Sequence, residues 1–96
     1  MRVVFSSAAE NDLTDIAVYI AQDNPARAFS FTDELEDRAR SLANMPNKGA
    51  NRQGLRHGLR LLLHGAYGIY YEVEEQTVTI LRIMHGARDV TSEDFT

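Results

Sequence analysis

The sequence predicts an α+β fold with the element order β-α-α-β-β-β, in which a helical hairpin packs on one face of a small, mainly antiparallel sheet. Two observations predict it. Apolar residues recur with the period of a helix over residues 9–45, and with a period of two from residue 59 onwards. The connections between these segments are short, so we expect the 96 residues to form a single domain spanning 1–96.

The chain opens with a short strand and a capped helix. Residues 2–5 are apolar and β-branched, which is typical of a strand. Ser7 and Glu10 have the spacing of a capping box, so we expect Ser7 to cap the first helix. The stripe that this helix buries has helical spacing and consists of Ala9, Leu13, Ile16, Ala17 and Ile20.

A second helix follows almost at once. Asn24 is a favourable N-cap residue, and Pro25 fits the first helical position, where no backbone N–H is needed. The helix is predicted to end at Met45, because the residue before a proline avoids the helical conformation. The short connection makes the two helices an antiparallel hairpin. The residues that the second helix is predicted to bury are Ala28, Phe31, Leu35, Ala39, Leu42 and Met45.

Residues 47–54 have the composition of a loop, and three strands joined by short turns follow them. In the first strand, residues 59–64, Arg60 alternates with leucines, which predicts that its side chain points away from the core. The second strand, residues 67–74, alternates apolar and polar positions. The third, residues 77–84, is apolar on both faces, which is typical of an interior strand. The three strands are expected to form an antiparallel meander, while the strand order of the whole sheet, especially the neighbour of the opening strand, is left open.

The composition excludes several kinds of site. The chain has no Cys, which removes disulfides, thiolate nucleophiles and Cys-ligated metals. Its three His lack the spacing of a metal site, and no phosphate-binding glycine loop or nucleophile elbow is present, so no cofactor is expected. The first residues turn polar by Ser6, unlike a signal peptide or a membrane span. We expect a small, soluble, cytoplasmic protein.

The formal net charge of −4 hides an uneven distribution. Residues 1–46 hold four cations against eight acids, and residues 65–96 hold two against six, whereas the segment between them holds no acid. Such a segment indicates a local anionic partner, with a solvated basic loop as the other interpretation. Its positive residues are Lys48, Arg52, Arg56 and Arg60, beside His57 and His64.

Charged residues near the third predicted strand stand where apolar ones are expected. Arg82 is flanked by Leu81 and Ile83, so its guanidinium needs a carboxylate, main-chain carbonyls or a ligand. His85 is either an acid–base group or a hydrogen-bonding fixture at the strand end. Arg88 and the Asp that follows it suggest a local ion pair. The outward acids of the helices are interpreted as solvated, and they are Asp12, Asp15, Asp33, Glu34, Glu36 and Asp37.

Taken in order, these segments resemble the ParE/RelE superfamily, the toxins of bacterial type II toxin–antitoxin pairs. The resemblance covers nearly the whole chain. Its most specific string is Ile-Leu-Arg-Ile-Met-His-Gly-Ala-Arg-Asp at 80–89, which is typical of the ParE branch. The family fold is the β-α-α-β-β-β arrangement predicted above. The other matching segments are 9–13, 16–20, 24–28, 42–49, 55–60 and 67–71.

The resemblance implies one of two activities. Members similar to RelE are ribonucleases that cut messenger RNA on the ribosome, whereas members similar to ParE poison DNA gyrase. The chain departs from the ribonuclease pattern in three places. Gly68 stands where those enzymes carry a catalytic Arg, the turn at 85–87 is less basic, and the tail 90–96 has no Tyr or His. For a ribonuclease, the remaining catalytic candidates are Arg60, Arg82, His85 and Arg88.

We therefore expect a toxin without a catalytic residue that inhibits DNA gyrase, with or without its bound DNA. A ParD-like antitoxin is expected to neutralise it in a hetero-oligomer. The alternatives are a RelE-type ribonuclease and an inactive toxin fold that serves only as an antitoxin-bound co-repressor. The expected target-binding residues lie on the exposed sheet side and its rim, and they are Lys48, Arg56, Arg60, Arg82, His85 and Arg88.

Overall fold

A computed structural model describes residues 1–96 and has the predicted order of helices and long strands, with three further short elements. Neither helix carries an apolar segment of the length needed to cross a membrane. The elements in chain order are β1 (Arg2–Phe5), α1 (Ser7–Ala21), α2 (Pro25–Arg40), a 3₁₀ turn (Ser41–Ala43), β2 (Ala50–Asn51), β3 (Arg60–His64), β4 (Tyr67–Glu74), β5 (Thr77–His85) and a second 3₁₀ turn (Ser92–Phe95).

The five strands form one sheet in the order β1-β5-β4-β3-β2. Strand β1 pairs with β5 in parallel, and all other pairs are antiparallel. The position of β5 between β1 and β4 explains its apolar residues on both faces and confirms it as an interior strand. The prediction of a loop throughout 47–54 is wrong at Ala50–Asn51, because these two residues pair with β3 as an edge strand despite their polar surroundings.

The helix starts confirm one prediction and correct another. Asn24 caps α2, its side chain accepting a hydrogen bond from the Arg27 amide at 3.1 Å, and Pro25 is the first helical residue. In α1 the cap is Ser6, which accepts from the Ala9 amide at 3.0 Å, and the predicted cap Ser7 is already helical. The cap must have extended backbone, and only Ser6 has it, with φ −67° and ψ 162°.

The main core lies between the helical hairpin and one face of the sheet, called here the helix face. The predicted stripe residues Ala9, Ile16, Leu35 and Ala39 are buried there. Met45 is exposed, contrary to the prediction, because α2 ends at Arg40 and the chain has turned away before it. The sheet contributes Leu62, Ile69, Tyr71, Val78, Ile80 and Ile83 to this core.

The opposite face of the sheet, called the far face, is not bare. Residues that precede β3 and residues that follow β5 fold over it and build a second apolar cluster. The side of the sheet that the sequence predicts to be exposed is therefore partly covered. The segments that cover it are mostly polar, so their composition does not indicate that they pack there. The buried members of this cluster are Leu59, Tyr70, Met84 and Phe95, with Leu55, Leu61, Leu81 and Val90 packed around them.

A β-bulge in β5 decides which side chains reach which face. Tyr70 pairs with Arg82 and Tyr71 with Ile80, so Leu81 has no partner on β4. This extra residue shifts the alternation of β5 by one position. Ile83 consequently joins the helix-face core, while Arg82 faces the far side.

One buried hydroxyl ties the loop before β2 to the core. The Tyr71 hydroxyl accepts from the Gly49 amide and donates to the Pro46 carbonyl, both at 2.8 Å. A Cβ at position 49 would lie 2.7 Å from this hydroxyl, which explains the glycine there. Burial raises the pKa of Tyr71, so the hydroxyl stays protonated and remains a donor.

We expect Tyr71→Phe to lower the free energy of unfolding by about 2 kcal/mol, because it leaves a buried amide and a buried carbonyl without partners. Tyr70→Phe is the matched control, since Tyr70 is nearly as buried and its hydroxyl makes no hydrogen bond within the protein. Urea unfolding of both variants measures the difference. Equal effects of the two substitutions would contradict this role of the Tyr71 hydroxyl.

Candidate target-binding surface

The structure does not gather the six predicted residues into one open patch. Arg56, Arg82 and Arg88 converge on the 3₁₀ turn Ser92–Phe95, called the 92–95 turn, on the far face. The other three lie elsewhere, Arg60 against the loop that carries Lys48 and His85 at the end of β5. The surface therefore has one group of arginines, which is described first.

Arg82 is held by an ion pair with Asp12 of α1. Its Nε lies 2.8 Å from Asp12 Oδ2, its Nη2 lies 2.9 Å from Oδ1, and its Nη1 donates to the Asp94 carbonyl at 3.1 Å. The side chains of Arg82 and Asp12 are only 19% and 12% exposed. The hydrogen bonds that Arg82 donates to Asp12 raise the pKa of Arg82, so the guanidinium stays charged. The predicted need for a carboxylate and carbonyls is thus met within the protein.

The interpretation of Asp12 as a solvated acid is wrong. Its carboxylate receives two bonds from Arg82 and a third from the Ile83 amide at 2.9 Å. A signal for this role was present in the sequence, because Asp12 lies three residues after Ala9 and four before Ile16, within the buried stripe of the helix.

Arg88 forms its ion pair with Asp94, not with the adjacent Asp89 as predicted. Arg88 Nη2 lies 2.6 Å from Asp94 Oδ1 and its side chain is 49% exposed. Asp94 can serve Arg88 because it is fixed by a capping box, in which its other oxygen accepts from the Thr91 amide at 2.9 Å. That hydrogen bond lowers the pKa of Asp94, and the positive charges of Arg88 and Arg82 lower it further.

Arg56 approaches the same turn from the segment before β3. Its Nη1 donates to the Phe95 carbonyl at 2.8 Å, and its Nη2 lies 3.5 Å from Glu72. The guanidinium is 39% exposed, so it keeps contact with solvent. Arginines from three separate segments therefore meet at the 92–95 turn.

Arg60 lies on the helix face, which corrects the prediction that it points away from the core. Residues 59–63 contain leucines in both alternations, so the pattern alone does not select a face. The register selects it, since Arg60 lies opposite Tyr71 and Leu62 opposite Ile69. Arg60 Nη1 donates to the carbonyls of Gly49 at 2.7 Å and Asn47 at 3.3 Å, which fixes the loop before β2.

His85 ends β5 on the helix face, where it makes a local hydrogen bond and an aromatic contact. Its Nδ1 accepts from the Ala87 amide at 3.0 Å, and its ring meets Tyr67 edge-on with centroids 5.2 Å apart. Sequence reasoning missed the open groove beside it, of about 700 Å³, at the tip of the helical hairpin. The groove is lined by Tyr19, Ile20, Arg27, Phe31, Tyr67 and His85.

Lys48 and Arg52 are the freest cations of the basic segment. Both are exposed and neither forms an ion pair, and Arg52 donates only to the carbonyl of its neighbour Asn51. They flank the edge strand β2. The interpretation of this segment as a solvated basic loop therefore holds for only two of its cations. The other two, Arg56 and Arg60, are bound to main-chain carbonyls of the protein itself.

The four candidates for ribonuclease chemistry do not converge. The bulge sends Arg82 to the far face and His85 to the helix face. Arg60 is on the helix face too, but its partner Tyr71 lies four residues along β4 from Tyr67, the partner of His85, which is about 13 Å. The carboxylates beside the arginines that meet at the 92–95 turn, those of Asp12, Glu72 and Asp94, are all held in ion pairs with these arginines.

The sequence matches a known family over most of its length. A family model described as "ParE toxin of type II toxin-antitoxin system, parDE" matches residues 3–90. The protein named "Toxin RelE2" from Caulobacter vibrioides is 37% identical over 87 residues, which are 91% of this chain and 97% of that protein. The chain belongs to the ParE/RelE superfamily of type II toxins.

Two solved structures share the fold of this toxin. One, titled "Chromosomal ParDE TA system from P. aeruginosa", superposes with a TM-score of 0.77 at 23% identity, covering 88% of this chain and 95% of that chain. The other is the toxin–antitoxin complex RelBE2 from Mycobacterium tuberculosis, with a TM-score of 0.63, 24% identity and the same coverage. They confirm the β-α-α-β-β-β fold of the ParE/RelE toxins.

We expect Asp12→Ala to destabilise the toxin by about 3 kcal/mol, because it leaves the Arg82 guanidinium unpaired in a largely buried site. Asp15→Ala is the control, since Asp15 lies on the same helix, is exposed and has no partner. Its expected effect is within about 0.5 kcal/mol. Thermal and urea unfolding measure both, and a loss no larger than that of the control would refute the structural role of the pair.

The Asp94 carboxylate makes part of the stability of the toxin depend on pH. Because its folded pKa lies below the ordinary 3.8, its contribution is complete above pH 3.8 and is lost as the pH falls through the lowered value. Asp94→Asn lacks that contribution at every pH. Unfolding curves from pH 7 to about pH 2 should therefore show the two proteins becoming more alike in acid. A constant difference between them would contradict the assignment.

Proposed function

We propose that this toxin inhibits DNA gyrase and is neutralised by an antitoxin of the ParD type. The observation that carries the proposal is the surface around Gly68, where ribonucleases of the superfamily are expected to have a catalytic arginine. A Cβ built at position 68 would lie 2.6 Å from Leu61 Cδ1 and 3.3 Å from the Tyr70 ring. Apolar side chains fill that place on the far face, so a longer side chain at 68 requires them to move.

The distribution of polar groups supports the same function. Cleavage of RNA requires a base, an acid and donors for the developing charge at one place. Here the arginines gather on the far face, while His85 faces the other side of the sheet. A surface of arginines whose neighbouring carboxylates are held in ion pairs suits binding to an anionic target better than hydrolysis.

The docking surface that we propose consists of the exposed cations Lys48, Arg56 and Arg88. Arg60 and Arg82 fix the segments around this surface, because their guanidinium groups are already bound to carbonyls and to Asp12. His85 lies on the opposite face of the sheet, and we propose that it contacts the target separately, through the groove at the hairpin tip. Electrostatic docking of this kind to gyrase or its bound DNA accelerates association and selects the partner.

The helical hairpin supports an antitoxin partner. Val18, Tyr19 and Phe29 are exposed on it, and the Phe29 side chain is 76% exposed. Large apolar side chains on one surface of a small protein mark a site that a partner covers. The two structures that share the fold come from ParDE and RelBE2 toxin–antitoxin systems. We propose that an acidic and apolar antitoxin segment folds across this hairpin and the sheet.

Supercoiling and DNA-cleavage assays with purified gyrase, with and without ATP, test the proposal. The toxin should inhibit supercoiling and accumulate cleaved DNA. Arg88→Ala should raise the half-inhibitory concentration about tenfold, because one charge-assisted hydrogen bond is lost. Arg38→Ala is the control, since Arg38 is a half-buried arginine of α2 whose guanidinium donates only to the Leu63 carbonyl. Its inhibition should equal that of the unmodified toxin.

Unaffected gyrase would overturn the proposal and favour the RelE-type ribonuclease, which the name of the Caulobacter relative supports. That function predicts cuts in ribosome-bound messenger RNA and their loss in His85→Ala. Expression without an antitoxin separates both from a co-repressor, because a toxin fold that acts only as a co-repressor leaves growth unchanged.

A further inference from the structure

The 92–95 turn occupies the arginine cluster of the far face as a ligand would. Three cations that the sequence places in different segments donate to it: Arg56 to the Phe95 carbonyl, Arg82 to the Asp94 carbonyl and Arg88 to the Asp94 carboxylate. The turn thus satisfies groups that are otherwise free to bind an external anion.

The groups that the turn presents have a recognisable combination. The Asp94 carboxylate and the carbonyls of Asp94 and Phe95 accept hydrogen bonds from arginines. Beside them, the Phe95 ring packs on the Tyr70 ring with their centroids 5.2 Å apart. An anionic group beside an aromatic ring is also what a nucleotide presents, with its phosphate and its base. Arginine forks bind phosphates, and tyrosine rings stack on bases.

The contacts that hold the turn are few. Phe95 is its only buried residue, and the remaining ties are the three arginine contacts and the Thr91–Asp94 capping box. Arg56 and Arg88 are 39% and 49% exposed, so solvent screens their bonds to the turn. Segments with so little buried apolar surface open at a smaller free-energy cost than the whole fold.

We propose that the 92–95 turn is an intramolecular cover that competes with DNA for the arginine cluster. When the turn lifts, Arg56, Arg88 and the Nη1 group of Arg82 bind phosphates, and the uncovered Tyr70 ring stacks on a base. Arg82 keeps its two bonds to Asp12, so the site stays positioned in the open state. The inference rests on the proposed function in taking gyrase-bound DNA as the target, and it adds a regulated site on the toxin.

Binding of a fluorescently labelled DNA duplex with a single-stranded end, measured by anisotropy without gyrase, tests the cover. Asp94→Asn should bind about threefold to tenfold more tightly than the unmodified toxin, because the open fraction sets the apparent affinity. Glu93→Gln is the matched control, with the same change of charge in the same turn and no arginine contact. It should bind as the unmodified toxin does.

A second variant tests the cover independently in case Asp94→Asn does not fold. Thr91→Val removes the side-chain half of the capping box without changing the charge, and it should also tighten DNA binding. Thermal unfolding establishes that each variant is folded. The salt dependence should steepen by about three phosphate contacts when the cover is opened, because Arg56, Arg82 and Arg88 are freed.

Equal affinities of Asp94→Asn and Glu93→Gln would overturn the cover, because only the net charge would then matter. The absence of DNA binding by every folded variant would overturn the DNA site.

Gyrase assays with the same proteins distinguish the failure of this inference from the failure of the proposed function. Inhibition of gyrase that does not change in Asp94→Asn and Thr91→Val refutes the cover alone, whereas DNA binding that responds to these variants beside unaffected gyrase refutes the proposed target alone.

Discussion

The outer edge of β5 is the constraint on which the rest of the structure depends. Strand β1 ends at Phe5, opposite Ile80. Beyond that point β5 has β4 on one side but no neighbouring strand on the other. Ser6 and Asp12 take over, the Ser6 hydroxyl donating to the Leu81 carbonyl and the Asp12 carboxylate accepting from the Ile83 amide. The start of α1 is thereby fixed against the sheet, and the helical hairpin follows it.

The bulge at Leu81 determines which face of the sheet each charged residue at the end of β5 occupies. By shifting the alternation of β5, it places Arg82 where it reaches both Asp12 and the 92–95 turn, and it leaves His85 beside the groove at the hairpin tip. A regular strand would place Arg82 in the helix-face core. The same irregularity therefore separates a cationic surface, suited to an anionic target, from an apolar one on the hairpin, suited to a protein partner.

Periodicity and turn residues predicted the order of helices and long strands, because each depends on neighbours in the sequence. The contacts that build the candidate site join distant positions, such as Asp12 with Arg82, and local patterns contain little information on them. The face of Arg60 was mispredicted because both alternations of its strand are apolar, and only the register with β4 distinguishes them. The charged residues themselves were identified, but their partners were not.

The parallel pairing of β1 with β5 also determines when the fold can form during synthesis. Val3 lies opposite Val78, so the first strand waits for a partner made about three-quarters of a chain later. Until β5 has been translated, an interior strand of the sheet and the partner of Asp12 are missing, and both apolar clusters are incomplete. Such long-range closure slows folding. A nascent chain therefore emerges from the ribosome without its arginine cluster assembled.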